Sequence, residues 1–433
     1  MNQKHEEMST VELQIAERAR KFKGEALHNL HHFIDAPLLQ ESYERLNKKS
    51  AEGIDGKTWL QYGFEFPDRR ESLLAEFKSG RYRAPALRRI YIPKDKHSQR
   101  PIDIATTEDK VLQASVRKVI EPIYEEDFKP FSYGFRPGCS QHQAINYMSG
   151  QVSLHKMHYI IDADIKNYFG SINHGILREF LDKRVKDGVI RRMIDKWLKA
   201  GVMESGNISY PEHGTQQGSV ISPLLSNIYL HYVLDVWFSE QIQPLLKGKS
   251  FIVRWADDFI LGFTDKSDAE RVMEVLPNRF AKFELTLHPD KTEMIDLNSK
   301  RGGSGRSFDF LGFAHYLGNS RKGNLVLKRK TSSKRLTMAF RNINMFIKLN
   351  RHMKLRDLIA AVNIKLRGHY SYYGITFNFK GVINYYEMVK HSLYKWLNRR
   401  GGKPVWIWDK FFLLVEKWVP LVKPYISHSF VSS

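Results

Sequence analysis

The chain has 433 residues, of which 42% are hydrophobic and eight are Trp, a composition that excludes disorder over most of its length. No segment approaches the roughly 20 apolar residues that a membrane-spanning helix requires, and the charged segment 1–25 lacks the apolar core of a signal peptide, so we expect a cytoplasmic protein without a membrane partner. The single cysteine, Cys139, excludes an internal disulfide and a Cys-rich zinc site, and it argues against a disulfide-linked partner.

Positive charge is concentrated towards the C-terminus. The net charge is +21, and the segment 321–433 holds 23 Lys and Arg against four acidic residues, a net charge of +19. The preceding 320 residues therefore carry about +2. Because Lys and Arg that neutralise phosphates release counterions, this asymmetry favours a nucleic acid partner. The alternative is a basic surface that only keeps the protein soluble.

Hydrophobic periodicity predicts interspersed helices and strands without an internal repeat. Helical periodicity covers residues from about 8 to 80. The segments that follow are, in chain order, a strand at 88–93, a helix at 108–124, a Gly- and Pro-containing loop at 132–140, a strand at 158–164, helices at 176–198 and 220–238, a hairpin at 251–263, a Gly/Ser linker at 302–305, a strand at 308–313 and basic helices from 332 onward.

Two adjacent carboxylates interrupt the predicted hairpin at 251–263. Asp257 and Asp258 lie between two apolar strands, where an ordinary two-residue turn would have Asn-Gly or Asp-Gly. Neighbouring acids repel each other unless cations lie between them, so this pair indicates a metal site. The alternative is a solvated surface turn.

A second acidic segment ends the predicted strand at 158–164. Asp162 and Asp164 lie on one face of this strand because side chains alternate with a period of two, so either carboxylate could reach a metal. Transfer of a nucleotide to a primer hydroxyl uses two metals about 3.5–4 Å apart. Three carboxylates from two strands suit that chemistry.

Two further segments are suggestive but less specific. A polar, Gly-containing loop at 214–219 leads into the helix at 220–238, and such a loop lets the backbone approach a base pair or sugar closely. The strand at 88–94 and Arg100 place cations on a hairpin, where they could bind a triphosphate. A plain helix N-cap and a solvated basic face are the alternatives.

Taken in order, six motifs resemble the bacterial group II intron-encoded reverse transcriptase/maturase family, over nearly the whole chain. The motifs are Ser132–Gly138, Asp164–Phe169, Gly214–Leu230, Trp255–Asp258, Leu287–Thr292 and Phe308–Phe313. The resemblance implies an α+β fold, a right-hand polymerase whose fingers and palm, with an antiparallel palm sheet, precede a basic helical thumb/maturase domain. It places an N-terminal extension and fingers in 1–155, the palm with interleaved fingers segments in 156–320, and the thumb/maturase domain in 321–433.

The resemblance also implies roles for individual residues. Asp164, rather than Asp162, joins Asp257 and Asp258 in holding two Mg²⁺ ions, for which Mn²⁺ could substitute, and Ile165 belongs to the same metal site. Lys291 is the candidate general acid for the pyrophosphate leaving group. The residues implied to bind the nucleotide are Lys94, Arg100, Phe169 as a steric gate against the ribose 2′-hydroxyl, and Gln217. Those implied to support the primer are Trp255, Phe310, Leu311 and Gly312.

The chain departs from the family pattern at three positions. The loop has Gln216 and Ser219 where the family commonly has Pro and Gly, and Trp255 stands where Tyr usually precedes the acidic pair. None of these changes removes a carboxylate, and Trp255 keeps an aromatic ring at the primer terminus. The effect of Gln216 and Ser219 on nucleotide handling is left open by the sequence.

The basic C-terminal segment is the predicted RNA-binding region. Aromatic rings alternate with cations in 366–375, and rings that stack bases beside cations that hold phosphates suit RNA. Lys328, Arg329, Lys330 and Arg367 are the candidate RNA contacts. The alternative is that most rings, including Trp396 and Trp418, form the cores of small helical bundles.

The predicted function is RNA-directed DNA polymerisation in a group II intron type retroelement, together with binding of intron RNA to assist splicing and mobility. The expected partners are an RNA template, intron RNA, a DNA primer or target, and deoxynucleoside triphosphates. The alternatives are a domesticated reverse transcriptase in phage defence or sequence diversification, and a non-catalytic splicing maturase.

Overall fold

The computed structural model describes residues 8–93, 98–298, 300–301, 304–320, 322–401 and 406–430. Residue contacts divide the chain into two compact units. The first unit comprises Met1–Ala144, Ile161–Leu261 and Asp265–Met294, and the second comprises Ile145–Ile160, Gly262–Thr264 and Ile295–Ser433. Within the described ranges, no helix has both the length and the apolar character needed to cross a membrane.

The α-helices of the described residues are α1 (Thr10–Lys21), α2 (Ala36–Arg45), α3 (Trp59–Ser79), α4 (Thr107–Glu125), α5 (Gln141–His155), α6 (Tyr168–Ser171), α7 (His174–Asp182), α8 (Gly188–Leu198), α9 (Ser222–Leu230), α10 (Lys266–Ala281), α11 (Ser333–Asn350), α12 (Leu355–Tyr373), α13 (Phe379–Leu397) and α14 (Trp408–Leu413). Shorter 3₁₀ segments occupy His31–Phe33 and Gln243–Leu245, and π-helical turns occupy His231–Asp235, Trp237–Ile242 and Leu414–Trp418.

The β-strands of the same residues are β1 (Leu87–Pro93), β2 (Gln99–Ile104), β3 (Tyr159–Asp164), β4 (Val202–Glu204), β5 (Asn207–Ser209), β6 (Ser250–Trp255), β7 (Asp258–Phe263), β8 (Glu293–Asp296), β9 (Lys300–Arg301), β10 (Ser304–Gly305), β11 (Ser307–Phe310), β12 (Phe313–Asn319) and β13 (Leu325–Thr331).

One sheet of the first unit carries the predicted acids. Its strand order is β6-β7-β3-β8, so β7 and β3 are hydrogen-bonded neighbours. β6 and β7 are joined by two residues, a connection that only antiparallel strands allow. Asp258 begins β7 and Asp164 ends β3. The sheet thereby brings together carboxylates that are almost 100 residues apart in the sequence.

Helix α4 lies at the centre of the first unit. Thr106 caps its N-terminus by accepting a hydrogen bond from the backbone N–H of Asp109. Residues on every face of the helix are buried, including Val111, Val116 and Ile120. The buried polar side chains of this helix, among them Asp109, Gln113 and Ser115, must be satisfied by internal hydrogen bonds.

A second sheet of the first unit has the strand order β2-β1-β4-β5. β1 and β2 form an antiparallel hairpin in which Ile92 pairs with Arg100, and β1 pairs with β4 in parallel. The side chain of Arg89 donates two hydrogen bonds to Asp103 across this hairpin, at 2.8 and 3.1 Å. This ion pair fixes one strand against the other next to the loop at 214–219.

The second unit combines an antiparallel sheet with a helical core. The sheet has the order β11-β12-β13. Helices α11, α12 and α13 contact one another through apolar faces. The fully buried residues of this core include Ile347, Leu358, Val362, Leu366, Tyr370, Val382, Val389 and Leu393.

Most predicted elements of the first unit are confirmed. The strands at 88–93 and 158–164, the helix at 108–124 and the hairpin at 251–263 agree with β1, β3, α4 and the β6–β7 pair to within one residue at either end. The helical segment 176–198 is two helices rather than one, because α7 ends at Asp182 and α8 begins after its N-cap, Asp187. The long helical segment from 8 to 80 is likewise divided into α1, α2 and α3.

The second unit differs from the sequence-based expectations at three points. The strand expected at 308–313 is a hairpin, because Leu311 and Gly312 form a turn with φ of 50° and 81°. β13 precedes the basic helices and was not predicted. Trp418, expected in a helical core, is 79% exposed.

Candidate active site

The turn between β6 and β7 carries the acidic pair. Its two residues are Ala256 and Asp257, and not Asp257 and Asp258 as the sequence suggested. Ala256 has a φ of 57°, a left-handed conformation that costs energy for a residue with a side chain. Glycine usually occupies the first position of such turns. The neighbouring structure must therefore hold Ala256 in place.

A buried ion pair lies behind this turn. The guanidinium of Arg254, on β6, donates to both carboxylate oxygens of Asp235 at 2.8 and 2.5 Å, and both side chains are 0% exposed. The same guanidinium donates to the side-chain oxygen of Asn227 at 3.0 Å and to the backbone oxygen of Ala256 at 3.1 Å. Arg254 therefore connects the strained turn to the helical segment that contains Asn227 and Asp235.

The motif Ser132–Gly138 packs against the other side of the turn. The backbone of Arg254 donates to Phe131 at 3.0 Å and accepts from Tyr133 at 2.9 Å, so this segment runs beside β6. A Cβ atom on Gly134 would overlap the backbone nitrogen of Ala256. This contact explains why the motif has Gly at this position, since any side chain would displace the turn.

Lys291 reaches the carboxylate of Asp164. The backbone of Asp164 accepts a hydrogen bond from His288 at 2.8 Å, and Lys166 donates to Thr286 at 2.8 Å, so residues 286–288 run antiparallel to the end of β3. The Lys291 ammonium forms an ion pair with the Oδ2 atom of Asp164. The motif at 287–292 thus delivers a cation to the acidic site.

The carboxylates at the turn are buried together. Burial raises the pKa of Asp258 well above its usual range, and the negative charges of Asp162, Asp164 and Asp257 add to the rise, while Lys291 opposes it. Burial also raises the pKa of Asp257, with a further contribution from Asp164, while Arg100 and Lys291 oppose the rise. The site therefore holds more negative charge than its own cations compensate.

The acids fit a divalent cation by their chemistry. Carboxylate oxygens are the ligands that Mg²⁺ and Mn²⁺ prefer, and the uncompensated charge at Asp257 and Asp258 is what a bound cation would neutralise. Within the described residues, no group of three or more His, Cys, Asp or Glu side chains already has metal-binding geometry. Ile165 is 3% exposed, so only its backbone oxygen could act as a ligand.

The loop at 214–219 lies between the acidic site and the β1–β2 hairpin. The backbone N–H of Thr215 donates to Phe169 at 2.7 Å, and the backbone N–H of Asp103 donates to Gln217 at 2.6 Å. The side-chain oxygen of Gln217 is buried and has no hydrogen-bond partner. Gln217 therefore has a free side-chain acceptor, and it lies in the loop whose Thr215 contacts the backbone of Phe169.

Gln216 and Ser219, the two unusual loop residues, point into the protein. The side-chain amide of Gln216 donates to the backbone oxygen of Trp197, and the Ser219 hydroxyl donates to the side-chain oxygen of Gln113 at 2.7 Å. Both residues are no more than 5% exposed. They support the loop from inside the protein.

Phe169 is a half-buried ring beside the acidic site. It lies in the short helix α6, two residues after Asn167, whose φ of 47° turns the chain sharply after β3. Its ring meets the edge of Phe135, with centroids 6.3 Å apart. Phe135 thus covers one side of the Phe169 ring.

Of the two cations predicted to bind the triphosphate, Arg100 is described and Lys94 lies outside the described residues. Arg100 is exposed on β2, and its charge acts on Asp257. Trp255 is half-buried at the end of β6, directly before the turn. The first unit thus brings Asp164, Asp257, Asp258, Lys291 and Arg100 within electrostatic reach of one another.

The predicted primer and RNA contacts of the second unit differ in exposure. Phe310 is 1% exposed, whereas Leu311 and Gly312 form the half-buried hairpin turn. Lys330 and Arg367 are exposed, and Lys328 is half-buried. Arg329 is wrong as a surface contact, because it is 1% exposed and donates to the hydroxyl of Ser149 at 2.8 Å. The alternation of β13 turns its side chain inward.

A sequence comparison identifies the family of this site. The family described as reverse transcriptase (RNA-dependent DNA polymerase) matches residues 92–315, more than half of the chain. The chain belongs to this family. The matched region contains the three acids, the loop at 214–219 and Lys291. The reverse transcriptase family has the right-hand polymerase fold and uses divalent metals, in agreement with the mixed α and β architecture and the acidic site.

Curated relatives of this reverse transcriptase include two bacterial proteins and an intron protein of Schizosaccharomyces pombe. Protein YkfC of Escherichia coli is 32% identical over 310 residues, which cover 63% of this chain and 78% of that protein. The group II intron-encoded protein LtrA of Lactococcus lactis is 36% identical over 162 residues, covering 37% of this chain and 27% of LtrA. An uncharacterised 91 kDa protein in the cob intron of Schizosaccharomyces pombe is 37% identical over 184 residues, which cover 42% of this chain and 22% of that protein.

The sequence did not reveal how the site is supported from behind. Asp235 has no distinctive local pattern, and although Gly134 and Asn227 lie within recognised motifs, their contacts with Ala256 and Arg254 are distant in the sequence. One signal was available: Arg254 is a lone cation inside an apolar strand, and a buried Arg needs an acidic partner. The sequence alone could not say which of the reverse transcriptase's acids that partner is.

Proposed function

We propose that this reverse transcriptase copies RNA into DNA at the site formed by Asp164, Asp257 and Asp258. The single observation that supports this assignment is the convergence of these half-buried, mutually repelling carboxylates at one edge of a sheet. Two Mg²⁺ ions held there would activate the primer hydroxyl and neutralise charge on the triphosphate. Primer extension on an RNA template with deoxynucleoside triphosphates tests the proposal directly.

The remaining side chains have supporting roles in the proposed reaction. Arg100 and Lys94 attract the triphosphate, and the free acceptor of Gln217 contacts the incoming nucleotide. Lys291 lies on Asp164 and has half of its side chain exposed to solvent, so its ammonium can transfer a proton to the leaving pyrophosphate. Trp255, Leu311 and Gly312 support the primer strand.

Phe169 is expected to exclude ribonucleotides. Phe169→Val should raise the efficiency of ribonucleotide incorporation relative to deoxynucleotide incorporation by about ten-fold or more, because the ring fills the space that a 2′-hydroxyl would occupy. Single-nucleotide incorporation with matched dNTP and rNTP pairs measures the ratio. Phe135→Leu, which changes the ring that contacts Phe169, serves as the control for general loosening of the site. An unchanged ratio in Phe169→Val would contradict the steric gate.

We further propose that the protein binds the RNA of a group II intron and assists its splicing and mobility. LtrA is named for a group II intron, and the Schizosaccharomyces pombe relative lies in an intron. These names favour an intron retroelement over a domesticated enzyme. The second unit contains 321–433, where the net charge of +19 attracts RNA phosphates.

An aromatic and basic cavity in the second unit suits an RNA base. The cavity measures about 490 Å³ and is lined by residues that include Lys354, Arg356, Trp406 and Trp418. Trp418 is 79% exposed at this cavity. An exposed indole beside cations can stack a base while the cations hold its phosphates. This arrangement supports the assignment of the second unit as the RNA-binding region.

Removal of solvent-accessible cations from β13 and α11 is expected to weaken RNA binding and its dependence on salt. Replacement of Lys328, Lys330, Lys334 and Arg335 by Gln should reduce the slope of log affinity against log salt by up to roughly 0.7 for each lost phosphate contact. Filter binding at several ionic strengths measures this slope. Nucleotide addition on a saturating primer-template should continue, because none of the four residues belongs to the acidic site.

The matched control removes four exposed cations from the first unit: Lys78, Lys266, Arg271 and Lys282. Its net charge equals that of the β13–α11 variant, so a non-specific effect of charge would weaken both proteins equally. A wild-type salt slope in the β13–α11 variant would contradict its role in RNA binding.

A further inference from the structure

A buried chain of hydrogen bonds connects helix α4 to the loop at 214–219. The side-chain oxygen of Gln113 accepts hydrogen bonds from the Ser219 hydroxyl at 2.7 Å and from the backbone N–H of Val220 at 2.9 Å. The side-chain nitrogen of Gln113 donates to Asp109 at 3.0 Å. Asp109, Gln113 and Ser219 are all at most 4% exposed, so water does not compete for these bonds.

Asp109 also supports the loop through Trp197. Its other carboxylate oxygen accepts from the indole N–H of Trp197 at 2.7 Å and from the Tyr82 hydroxyl at 3.2 Å. The backbone oxygen of Trp197 in turn accepts from the side chain of Gln216. Asp109 therefore reaches both unusual loop residues, Ser219 through Gln113 and Gln216 through Trp197.

The groups at the two ends of the network, the backbone N–H of Val220 and the carboxylate of Asp109, fix which atoms donate and which accept between them. The backbone N–H of Val220 can only donate, and an ionised carboxylate can only accept. Burial raises the pKa of Asp109 to about 6, against the opposing effect of its three donors, so the carboxylate is ionised at pH 8. The amide of Gln113 then has a single orientation, with its oxygen towards the loop and its nitrogen towards Asp109.

The network completes the fixation of the loop. The backbone of Thr215 is hydrogen-bonded to that of Phe169, and the backbone of Gln217 to that of Asp103. Gln113 binds Ser219 from inside the protein. With the backbone fixed on these sides, the buried side-chain oxygen of Gln217 is left without a partner. A buried acceptor without a partner points to a ligand, since leaving it unsatisfied is costly.

We propose that Asp109 and Gln113 are positioning residues that hold the loop at 214–219 so that Gln217 meets the incoming deoxynucleotide. This inference rests on the proposed role of Gln217. Neither positioning residue touches the nucleotide or the acidic site. Their effect is transmitted through Ser219, Val220 and Trp197.

The test removes the negative charge at position 109, adds one at position 113, and combines the two changes. In Asp109→Asn a donor replaces one acceptor, so either Gln113 or Trp197 loses its partner. In Gln113→Glu two carboxylates face each other. The double variant should restore every bond, because the new Asn amide donates to the new Glu, whose other oxygen still accepts from Ser219 and Val220. Steady-state single-nucleotide incorporation at pH 8 gives KM for dNTP and kcat for all three proteins.

Each single variant is expected to raise KM for dNTP by about ten-fold or more, the effect of one unsatisfied buried group, with a smaller change in kcat. The double variant should return KM to within about three-fold of wild type, and primer-template affinity should be unchanged throughout. Ser115→Ala is the matched control, because Ser115 is buried on the same helix and donates to Ser42, away from the loop. It should lower the melting temperature without changing KM.

The outcomes separate this inference from the proposed function. Gln217→Ala should raise KM for dNTP by itself, and if it does not, both the role of Gln217 and the positioning role are wrong. If Gln217→Ala raises KM but the single network variants do not, the positioning role alone is wrong. A double variant that stays as impaired as the single variants, despite a wild-type melting temperature, would also overturn it.

Discussion

Replacement of Asp257 by Asn is expected to lower Mg²⁺-dependent DNA synthesis by about two to three orders of magnitude, the usual effect of removing one group from a preorganised electrostatic site. The amide keeps the size of the side chain but loses the charge that binds a cation. Primer-template affinity should stay near the wild-type value, because the turn itself is held by Arg254 and Gly134. Primer extension and filter binding on the same preparations measure the two quantities. Polymerisation at the wild-type rate would refute the metal assignment.

The same substitution is expected to stabilise the metal-free protein. The pKa of Asp257 is raised in the folded state, so its ionised form lowers stability at pH values above that pKa, and the loss disappears as pH falls towards the ordinary value. Asn carries no charge and removes this loss. Metal-free Asp257→Asn should therefore melt at a higher temperature than wild type at pH 8, with a smaller difference near pH 4. A lower melting temperature at pH 8 would show that the ionised carboxylate does not destabilise the folded protein.

The acidic site could be predicted because its pattern is local. Apolar strands that end in Asp164 and Asp257 are visible in the sequence, and the order of the motifs assigned them to one site. The turn was misplaced by one residue, because nothing local indicates that Ala256 would adopt a φ of 57°. That conformation depends on Arg254 and Gly134, whose contacts are set by the tertiary structure.

The basic region shows a second limit of prediction from the sequence, which concerns the exposure of individual side chains. A cluster of Lys and Arg predicts an RNA partner, but charge alone does not tell which cations face the solvent. In β13 the alternation of the strand places Lys330 outside and Arg329 inside. The sequence analysis did not recognise this strand, so Arg329 was wrongly assigned to the surface. Trp418 was misassigned in the opposite direction, since a large apolar ring is usually buried.

The loop residues Gln216 and Ser219 show what the sequence left open. Their polar side chains could have faced the nucleotide, which would change substrate handling. They instead satisfy Trp197 and Gln113 inside the protein. The orientation of Ser219 is decided by helix α4, more than 100 residues away in the sequence, and that of Gln216 by Trp197 of helix α8. The departures are therefore structural, and the proposed contact with the nucleotide stays with Gln217.

The buried pair behind the acidic turn should be the most sensitive point for stability. Asp235→Asn leaves the charge of Arg254 in the interior without a compensating carboxylate, and breaking a fully buried pair in this way costs roughly 3–5 kcal/mol. The urea-unfolding midpoint should fall accordingly, since both side chains are 0% exposed and no water replaces the lost partner. Asp265→Asn, which removes a half-buried helix-capping carboxylate in the same unit, is the control and should cost about 1 kcal/mol or less.

A compensated variant separates the two roles of Arg254. In Arg254→Met with Asp235→Leu, both charges are replaced by apolar side chains, an exchange that is often neutral or stabilising for a buried pair. Its unfolding midpoint should recover most of the loss in Asp235→Asn. Its polymerase activity should not recover, because Met cannot donate to the backbone oxygen of Ala256, and the strained turn that presents Asp257 loses that hydrogen bond. Recovery of both stability and activity would show that the pair serves only the fold. Recovery of stability alone would assign to Arg254 a direct part in holding the catalytic turn.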